Sequence, residues 1–319
     1  MQNNYILIIG KSLIALRHYK ILKSKLSEKK FFFLGRNKQL FYFNGNKFLN
    51  FKKKFNLDKI CFYMIVICTT SDKHIFYLKK FYKNTKHIFV EKPFSNNLKE
   101  AQNFLKYYKT SRIKPKIQIG YNLRYLKSLK KFKLFVDNKK MGKIYYVNCY
   151  VGKSLDQWRN GKLNFAASKK NGGGALLELS HEIDYLKWIF GSLKLKTSYI
   201  NPLKKFNYDI DQNVFAILSS ESSGYKKIPI NLTMDIINNI PERYCEIICE
   251  KGNIKLDIKL NKLEILTKKN NNFINFNKKD LDQSYIDQLD FFINSKENNS
   301  VLNIKDSIKT LEIIKKIKK

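Results

Sequence analysis

The chain has 319 residues, enough for two domains with proper cores, and its 44% hydrophobic and 14% aromatic content excludes a disordered polypeptide. The formal charge of +36 comes almost wholly from lysine spread evenly among Asn, Ile and Phe, the residues of AT-rich codons; a nucleic-acid surface would cluster its charge, so coding bias is the reading and no nucleic-acid partner is expected. No apolar run approaches the ~20 residues of a membrane span, MQNNYILIIG lacks a signal-peptide layout, and Cys61, Cys68, Cys149, Cys245 and Cys249 show no metal-ligand spacing, so the expectation is a cytoplasmic protein with buried thiols, no membrane insertion and no metal site.

In chain order, residues 5–9 read as a strand, 13–26 as a helix, 31–34 and 60–68 as strands, 73–83 as a helix, 87–90 as a strand, 97–108 as a helix and 116–119 as a strand. Continuous apolar runs separated by helices predict a doubly wound parallel sheet, a Rossmann α/β domain over 1–119. From Gly120 the pattern changes. A basic amphipathic helix at about 124–137 is followed by Tyr-rich alternation at 144–151, a loop with Gly152 and Gly161, and a glycine-rich turn leading into a helix at 175–190. Period-two strands run through 196–268, and helices near 282–294 and 305–318 close the chain. Hairpin-like turns such as Glu250-Lys251-Gly252-Asn253 favour a mixed, largely antiparallel open sheet, so 120–319 reads as an α+β domain.

The first strand ends in Gly10-Lys11-Ser12-Leu13-Ile14-Ala15, which keeps one glycine of a dinucleotide-binding GxGxxG turn. Ser12 and Ala15 are small enough to replace the others, and the Ser12 hydroxyl can donate to a phosphate at the helix N-terminus. The same residues also suit an ordinary strand-to-helix turn. Gly35-Arg36 stands where an NAD enzyme offers an acid to the ribose, and a cation there suits the 2′-phosphate of NADP. Thr69-Thr70-Ser71 and His74 fall at the carboxyl edge of a parallel strand, where hydroxyls line a ligand crevice or cap the next helix. Glu91-Lys92-Pro93 follows the strand at 87–90, and Pro93 biases Lys92 away from helical geometry. Lys92 is then either a structural ion-pair member or a working acid. In the segment from Gly172 to Tyr185, three glycines open a helix on which Glu178, His181 and Asp184 fall at i, i+3 and i+6, on one narrow face flanked by apolar positions. Three ionisable groups so placed point to a site. Arginine occurs at only six positions, 17, 36, 112, 124, 159 and 243, and each marks a place where a forked, planar donor is wanted.

Together these segments resemble the Gfo/Idh/MocA family of NAD(P)-dependent sugar oxidoreductases over nearly the whole length. The resemblance is carried by the glycine turn with Arg17-His18, the Thr69-Thr70-Ser71 and His74 crevice, Glu91-Lys92-Pro93, Gly120-Tyr121-Asn122-Leu123-Arg124, and GGGALLELSHEIDYLKWIFG. It implies a catalytic acid/base at Lys92 with His181 as its partner near the sugar, assisted by Asp184 or Glu178. It places the cofactor, NADP or NAD, against Gly10, Ser12, Leu13, Ile14, Arg36, Thr69, Thr70, Ser71, His74, Glu91 and Lys92. It places a sugar or sugar nucleotide against Tyr121, Asn122, Arg124, His181 and the Trp158-Arg159 loop, the last resembling a surface-polysaccharide subgroup. Hydride transfer between the nicotinamide and a sugar carbon, and a homo-oligomer, dimer or tetramer, are the further implications. The chain departs from the family in three places: Glu178 stands three residues before the histidine where an aspartate four before is usual, Thr70 replaces a common proline, and two glycines of the turn are missing. The alternative reading is a non-catalytic NAD(P)-binding sensor or scaffold.

Overall fold

The computed structural model describes residues 4–35, 39–44, 47–50, 56–157, 165–221 and 227–319. Its first part runs β1 (Tyr5–Ile9), α1 (Leu13–Lys25), β2 (Lys30–Leu34), β3 (Leu40–Phe43), β4 (Phe48–Asn50), β5 (Phe62–Ile67), α2 (His74–Phe81), β6 (Thr85–Val90), α3 (Leu98–Thr110) and β7 (Lys116–Ile119). One sheet of order β4-β3-β2-β1-β5-β6-β7 results. Strands β2, β1, β5, β6 and β7 are parallel. Ile6 to Ile9, Met64 to Ile67 and Ile88 to Val90 are fully buried, which is why these runs are apolar at every position rather than at alternate ones. Strands β3 and β4 form an antiparallel extension beside β2 in a stretch where the sequence shows no element. They are three or four residues long, too short for a period to register, and aromatic contacts hold them. Tyr19 on α1 meets Phe31, Phe33 and Phe43, and Phe48 packs edge-on against Phe33.

The second part runs α4 (Lys127–Asp137), β8 (Ile144–Gly152), α5 (Ala175–Glu178), α6 (His181–Phe190), β9 (Leu193–Ile200), β10 (Asn213–Ser220), β11 (Pro229–Asp235), β12 (Glu242–Cys249), β13 (Gly252–Asp257), β14 (Lys262–Leu266), β15 (Asn271–Asn275), α7 (Asp280–Asn294) and α8 (Ser300–Ile317). The sheet order is β15-β14-β13-β12-β8-β11-β10-β9. All its neighbours are antiparallel except β8 and β11, so the sheet is mixed and largely antiparallel. Helix α4 packs on β13 and β14, α5 on β10 and β11, and α6 on β9. Alternation along β10 follows: Val214, Ala216 and Leu218 are buried while Phe215 and Ile217 are exposed. Two sequence expectations are corrected here. The helix expected at 124–137 begins at Lys127 after a 3₁₀ turn, and the single helix expected over 175–190 is two helices, α5 and α6, separated at Leu179 and Ser180.

The described residues group into two compact units, Met1–Gly120 with Gln288–Ile308 and Tyr121–Asp287 with Lys309–Lys319. Residues 288–308, beyond the sequence-drawn boundary at 119/120, close the edge of β7. Lys116 Nζ donates to the carbonyls of Phe292 (2.7 Å) and Ser295 (2.5 Å), the Ile117 N–H donates to Ser300 Oγ (2.6 Å), and Gln288 Nε2 donates to Ile119 O (3.1 Å). The last two satisfy backbone groups on a strand edge that would otherwise be open. Among the described residues no helix is long and apolar enough to cross a membrane.

Candidate functional site

In the first unit the strand order reverses at β1, so the carboxyl ends of β1 and β5 make the switch point where open α/β sheets bind ligands. Gly10 leaves β1 with φ +114°, and a Cβ there would sit 2.6 Å from the Cys68 carbonyl oxygen. Only glycine fits that turn. Ser12 caps α1, its hydroxyl accepting the Ala15 N–H at 3.4 Å, which leaves the hydroxyl proton to donate. Ala15 is fully buried and lets α1 lie close on the sheet in place of the third glycine. Leu13, 74% exposed at the first helical position, leaves apolar surface at the mouth of the turn, with Ile14 half-buried behind it. The first turn of α1 carries no acidic residue to compete with a phosphate for the helix N-terminus.

Across the crevice, Thr69 and Thr70 are half-buried and Ser71 is buried. The Thr69 hydroxyl is enclosed with no hydrogen-bond partner among the described residues, a vacant donor at the ligand edge of the sheet. A dinucleotide fits this cradle: a glycine turn with no room for a Cβ, a helix N-terminus free of acids, and an unmet hydroxyl opposite. His74 contributes differently from the expectation that it lines the cofactor. Its Nδ1 lies 2.8 Å from Pro93 O and its Nε2 3.0 Å from Thr69 O, so both ring nitrogens face backbone carbonyls. Burial pushes its pKa down and outweighs those carbonyls and the Glu91 and Asp72 carboxylates, which push it up. The ring ties the loop after β5 to the Lys92-Pro93 turn.

Glu91, 8% exposed, is likewise engaged inside the unit. Its Oε1 lies 2.5 Å from Nε2 of the fully buried His18, and its Oε2 accepts the Lys92 N–H at 3.2 Å. Gly120 leaves space for this carboxylate, since a Cβ there would stand 3.1 Å from Oε2. Burial, with Glu91 nearby, pushes the Cys68 thiol well up, so it stays protonated and unreactive. Lys92 is half-buried beside this group, and its peptide to Pro93 is cis. Arg36 lies outside the described residues.

In the second unit the glycine turn packs on protein. Gly174 has φ +106°, and a Cβ would meet the Asp211 carboxylate at 2.7 Å. Asp211 holds the start of α5 by accepting the Ala175 N–H on its carbonyl (2.8 Å) and the Leu176 N–H on Oδ2 (2.7 Å), while Lys318 pairs with Oδ1 (2.7 Å). The break at Leu179 and Ser180 means that Glu178, half-buried at the end of α5, does not share one helical face with His181 and Asp184. The restarted helix sends two buried carboxylates to two arginines. Asp184, 2% exposed, accepts from Arg124 Nε at 2.8 Å and Nη2 at 2.6 Å, and the fully buried Glu182 accepts from Arg243 Nε at 2.6 Å.

His181 opens α6 and is half-buried, with the Tyr121 ring edge-on at 5.6 Å and 85°. Burial, then the Asp184 charge, pushes the Tyr121 phenol well up, so it remains a neutral donor. Asn122 donates to Ser284 Oγ at 2.7 Å and is 1% exposed, which turns its amide into the protein. The structure therefore brings Tyr121, Arg124, His181 and Asp184 together and directs Asn122 away. Trp158 and Arg159 lie outside the described residues. Sequence reasoning noted His18 beside the glycine turn without its Glu91 partner, and missed Asp211, Glu182 and the buried Lys187, whose Nζ donates to Thr310 Oγ1 at 2.8 Å. Arg243 was visible as one of six arginines, and that scarcity was the available signal for its buried partner. Among the described residues no cluster of three or more His, Cys, Asp or Glu could hold a metal.

Residues 6–114 match the model of the oxidoreductase family with NAD-binding Rossmann fold, and residues 129–255 match that of the Gfo/Idh/MocA C-terminal domain. No curated protein matches. Solved structures do. The WlbA dehydrogenase of Bordetella pertussis, in complex with NADH and UDP-GlcNAcA, is 14% identical with TM-score 0.75, over 99% of this chain and 96% of that one. Myo-inositol 2-dehydrogenase of Lactobacillus plantarum is 18% identical with TM-score 0.70 over 99% and 96%. An NAD binding oxidoreductase of Klebsiella pneumoniae is 13% identical with TM-score 0.75 over 98% and 96%. At these identities the likeness is one of fold. The two family models, which between them take in most of the chain on either side of Gly120, supply the membership: this chain belongs to the Gfo/Idh/MocA family of NAD-binding oxidoreductases.

Proposed function

We propose that the chain is an NADP- or NAD-dependent dehydrogenase or reductase acting on a sugar or sugar nucleotide, in the making of surface glycans or nucleotide sugars. In this reading residues 1–119 hold the dinucleotide, and 120–319 hold the sugar and offer an open sheet face, with Tyr199, Phe215 and Ile217 exposed, to a second copy. Gly10, Ser12 and the start of α1 take the pyrophosphate, Leu13 and Ile14 cover it, and the Thr69 hydroxyl donates to the nicotinamide half. Arg36 reads the ribose end. A nicotinamide held there would supply hydride exchange at its C4.

The residues of the chain manage the proton. Removing hydride from a carbinol carbon without its hydroxyl proton would leave an oxocarbenium-like charge, so a base must take that proton as the C–H bond breaks. Lys92 Nζ does so in this scheme, with His181 as partner at the sugar; in the reduction direction the same groups return the proton to the carbonyl oxygen. Arg124 is fixed by Asp184, and Tyr121 stays a neutral donor beside His181, so both present defined hydrogen-bonding groups to sugar hydroxyls. The observation that carries the reading is the Glu91-Lys92-Pro93 turn. Glu91 holds the Lys92 N–H and His74 holds the Pro93 carbonyl, which fixes the backbone of a half-buried lysine at the end of β6, the strand beside β5. The WlbA complex, a fold neighbour that holds NADH and a UDP-sugar, supports the substrate class.

The test is a panel of sugars and UDP-sugars with each nicotinamide, followed at the nicotinamide absorbance, on the parent and on Lys92→Met. Turnover with at least one member, lowered by about 10² to 10⁴ in Lys92→Met at unchanged cofactor affinity, is the expected result. Cofactor binding with no turnover across the panel would replace this reading with that of a non-catalytic sensor.

A further inference from the structure

We infer that Lys11 is a second reader of the cofactor's 2′-phosphate, an ammonium held on an aromatic platform at the end of β2; this rests on the nicotinamide-dependent reading above and assigns its specificity for NADP. Lys11 follows Gly10, whose N–H donates to Leu34 O at 2.9 Å, so position 11 stands beside the last residue of β2. The Lys11 ammonium lies 3.7 Å above the centroid of the Phe41 ring and 5.6 Å from that of Phe48. The same Phe41 ring packs against Gly35, where a Cβ would meet its Cε2 at 2.7 Å. One ring therefore touches both the first residue past β2 and the ammonium. That end of β2 is where a doubly wound sheet reads the adenosine ribose, by an acid for a 2′-hydroxyl or a cation for a 2′-phosphate.

The platform matters because a lysine is ordinarily a costly reader. Its four-carbon stem loses rotamer freedom on binding, and that loss is smaller where the head is already placed. Phe41 is 8% exposed and lies edge-on to Phe48 at 6.5 Å and 77°, so the surface under the ammonium is fixed. A ring face occupies one side of an ammonium and leaves its remaining N–H groups to donate elsewhere. Among the described residues no carboxylate pairs with Lys11, and the first turn of α1 carries none. A dianionic phosphate would meet an uncommitted charge, whereas a 2′-hydroxyl would gain little from it.

Calorimetry on the full chain at about 0.15 M salt decides the matter, with NADPH, NADH, 2′,5′-ADP and 5′-ADP as titrants. For the parent we expect NADPH to bind more tightly than NADH. Lys11→Met should lose about tenfold for NADPH and 2′,5′-ADP and less than about twofold for NADH and 5′-ADP, while Lys11→Arg keeps most of the preference. Lys109→Met, on the exposed side of α3, should change neither series, which separates a local contact from the overall charge of +36. Equal losses in both series, or none, would overturn the assignment of Lys11 and leave the dehydrogenase reading standing. A parent that prefers NADH would do the same. A parent that binds no nicotinamide would overturn both, and a thermal melt of each variant matching the parent confirms that folding is not the cause.

Discussion

Cutting the Arg124–Asp184 pair should destabilise the second unit by about 3 kcal/mol in Arg124→Met. The estimate starts from the geometry: two N–H groups of one guanidinium reach one carboxylate at 2.8 and 2.6 Å, and that carboxylate is 2% exposed. Removing one member of a buried pair costs about 3 to 5 kcal/mol because a charge is left in a low-dielectric site. The Arg124 side chain is 24% exposed, so water can reach the vacated space and the lower end applies. Asp184→Asn leaves the more exposed member behind and should cost about 2 kcal/mol. If the two groups act through each other, the double variant should cost about 3 kcal/mol rather than the sum, a coupling of about 2. Urea unfolding followed by tryptophan emission is the assay. Urea does not screen the pair, and both tryptophans, 158 and 188, fall between residues 121 and 287. Losses that add within about 0.5 kcal/mol would refute the coupling and release Asp184 for a role of its own.

Two further outcomes are expected. His181→Asn keeps a polar group of similar size without a titrating nitrogen, and should lower turnover at least ~10² while NADPH affinity, measured by calorimetry, changes little; an equal loss of affinity would move His181 out of the proton path. Acidification should destabilise the first unit. Burial lowers the pKa of both His74 and His87 below their unfolded value of 6.5, so the unfolded chain binds protons more readily; the stability is present above about 6.5 and falls as pH drops through that value toward the folded pKa values. Melting temperatures at pH 7.5 and 5.5 measure the fall, His87→Asn should show a smaller one, and a higher melting temperature at the acid end would contradict the sign.

The parallel core was legible because strands such as β1 and β5 are buried on both faces and so carry unbroken apolar runs that survive heavy lysine enrichment. The hairpin of β3 and β4 was not, since three or four residues hold no period and the stabilising partner, Tyr19, lies on α1. The break between α5 and α6 was hidden for a different reason. Leu177, Ile183 and Leu186 read as one helical stripe, but the restarted helix directs its carboxylates to Arg124 and Arg243, each about sixty positions away in the chain. The use of Gly174 was equally hidden, since it makes room for the carboxylate of Asp211, a residue distant in the chain. The glycine turn at Gly10 and the hydroxyls at 69–71 were readable because their chemistry is local to a strand end.

The sealing of β7 by residues 288–308 sets an order of events during synthesis. The last strand of the first sheet leaves the ribosome about 190 residues before the segment that satisfies its edge, which at roughly 5 to 20 residues per second is a wait of about 10 to 40 s. Through that interval the nascent sheet carries an open strand with unmet N–H and C=O groups. The even spread of lysine then has a physical use whatever its origin, because like charges along the emerging chain oppose strand addition by a neighbouring copy.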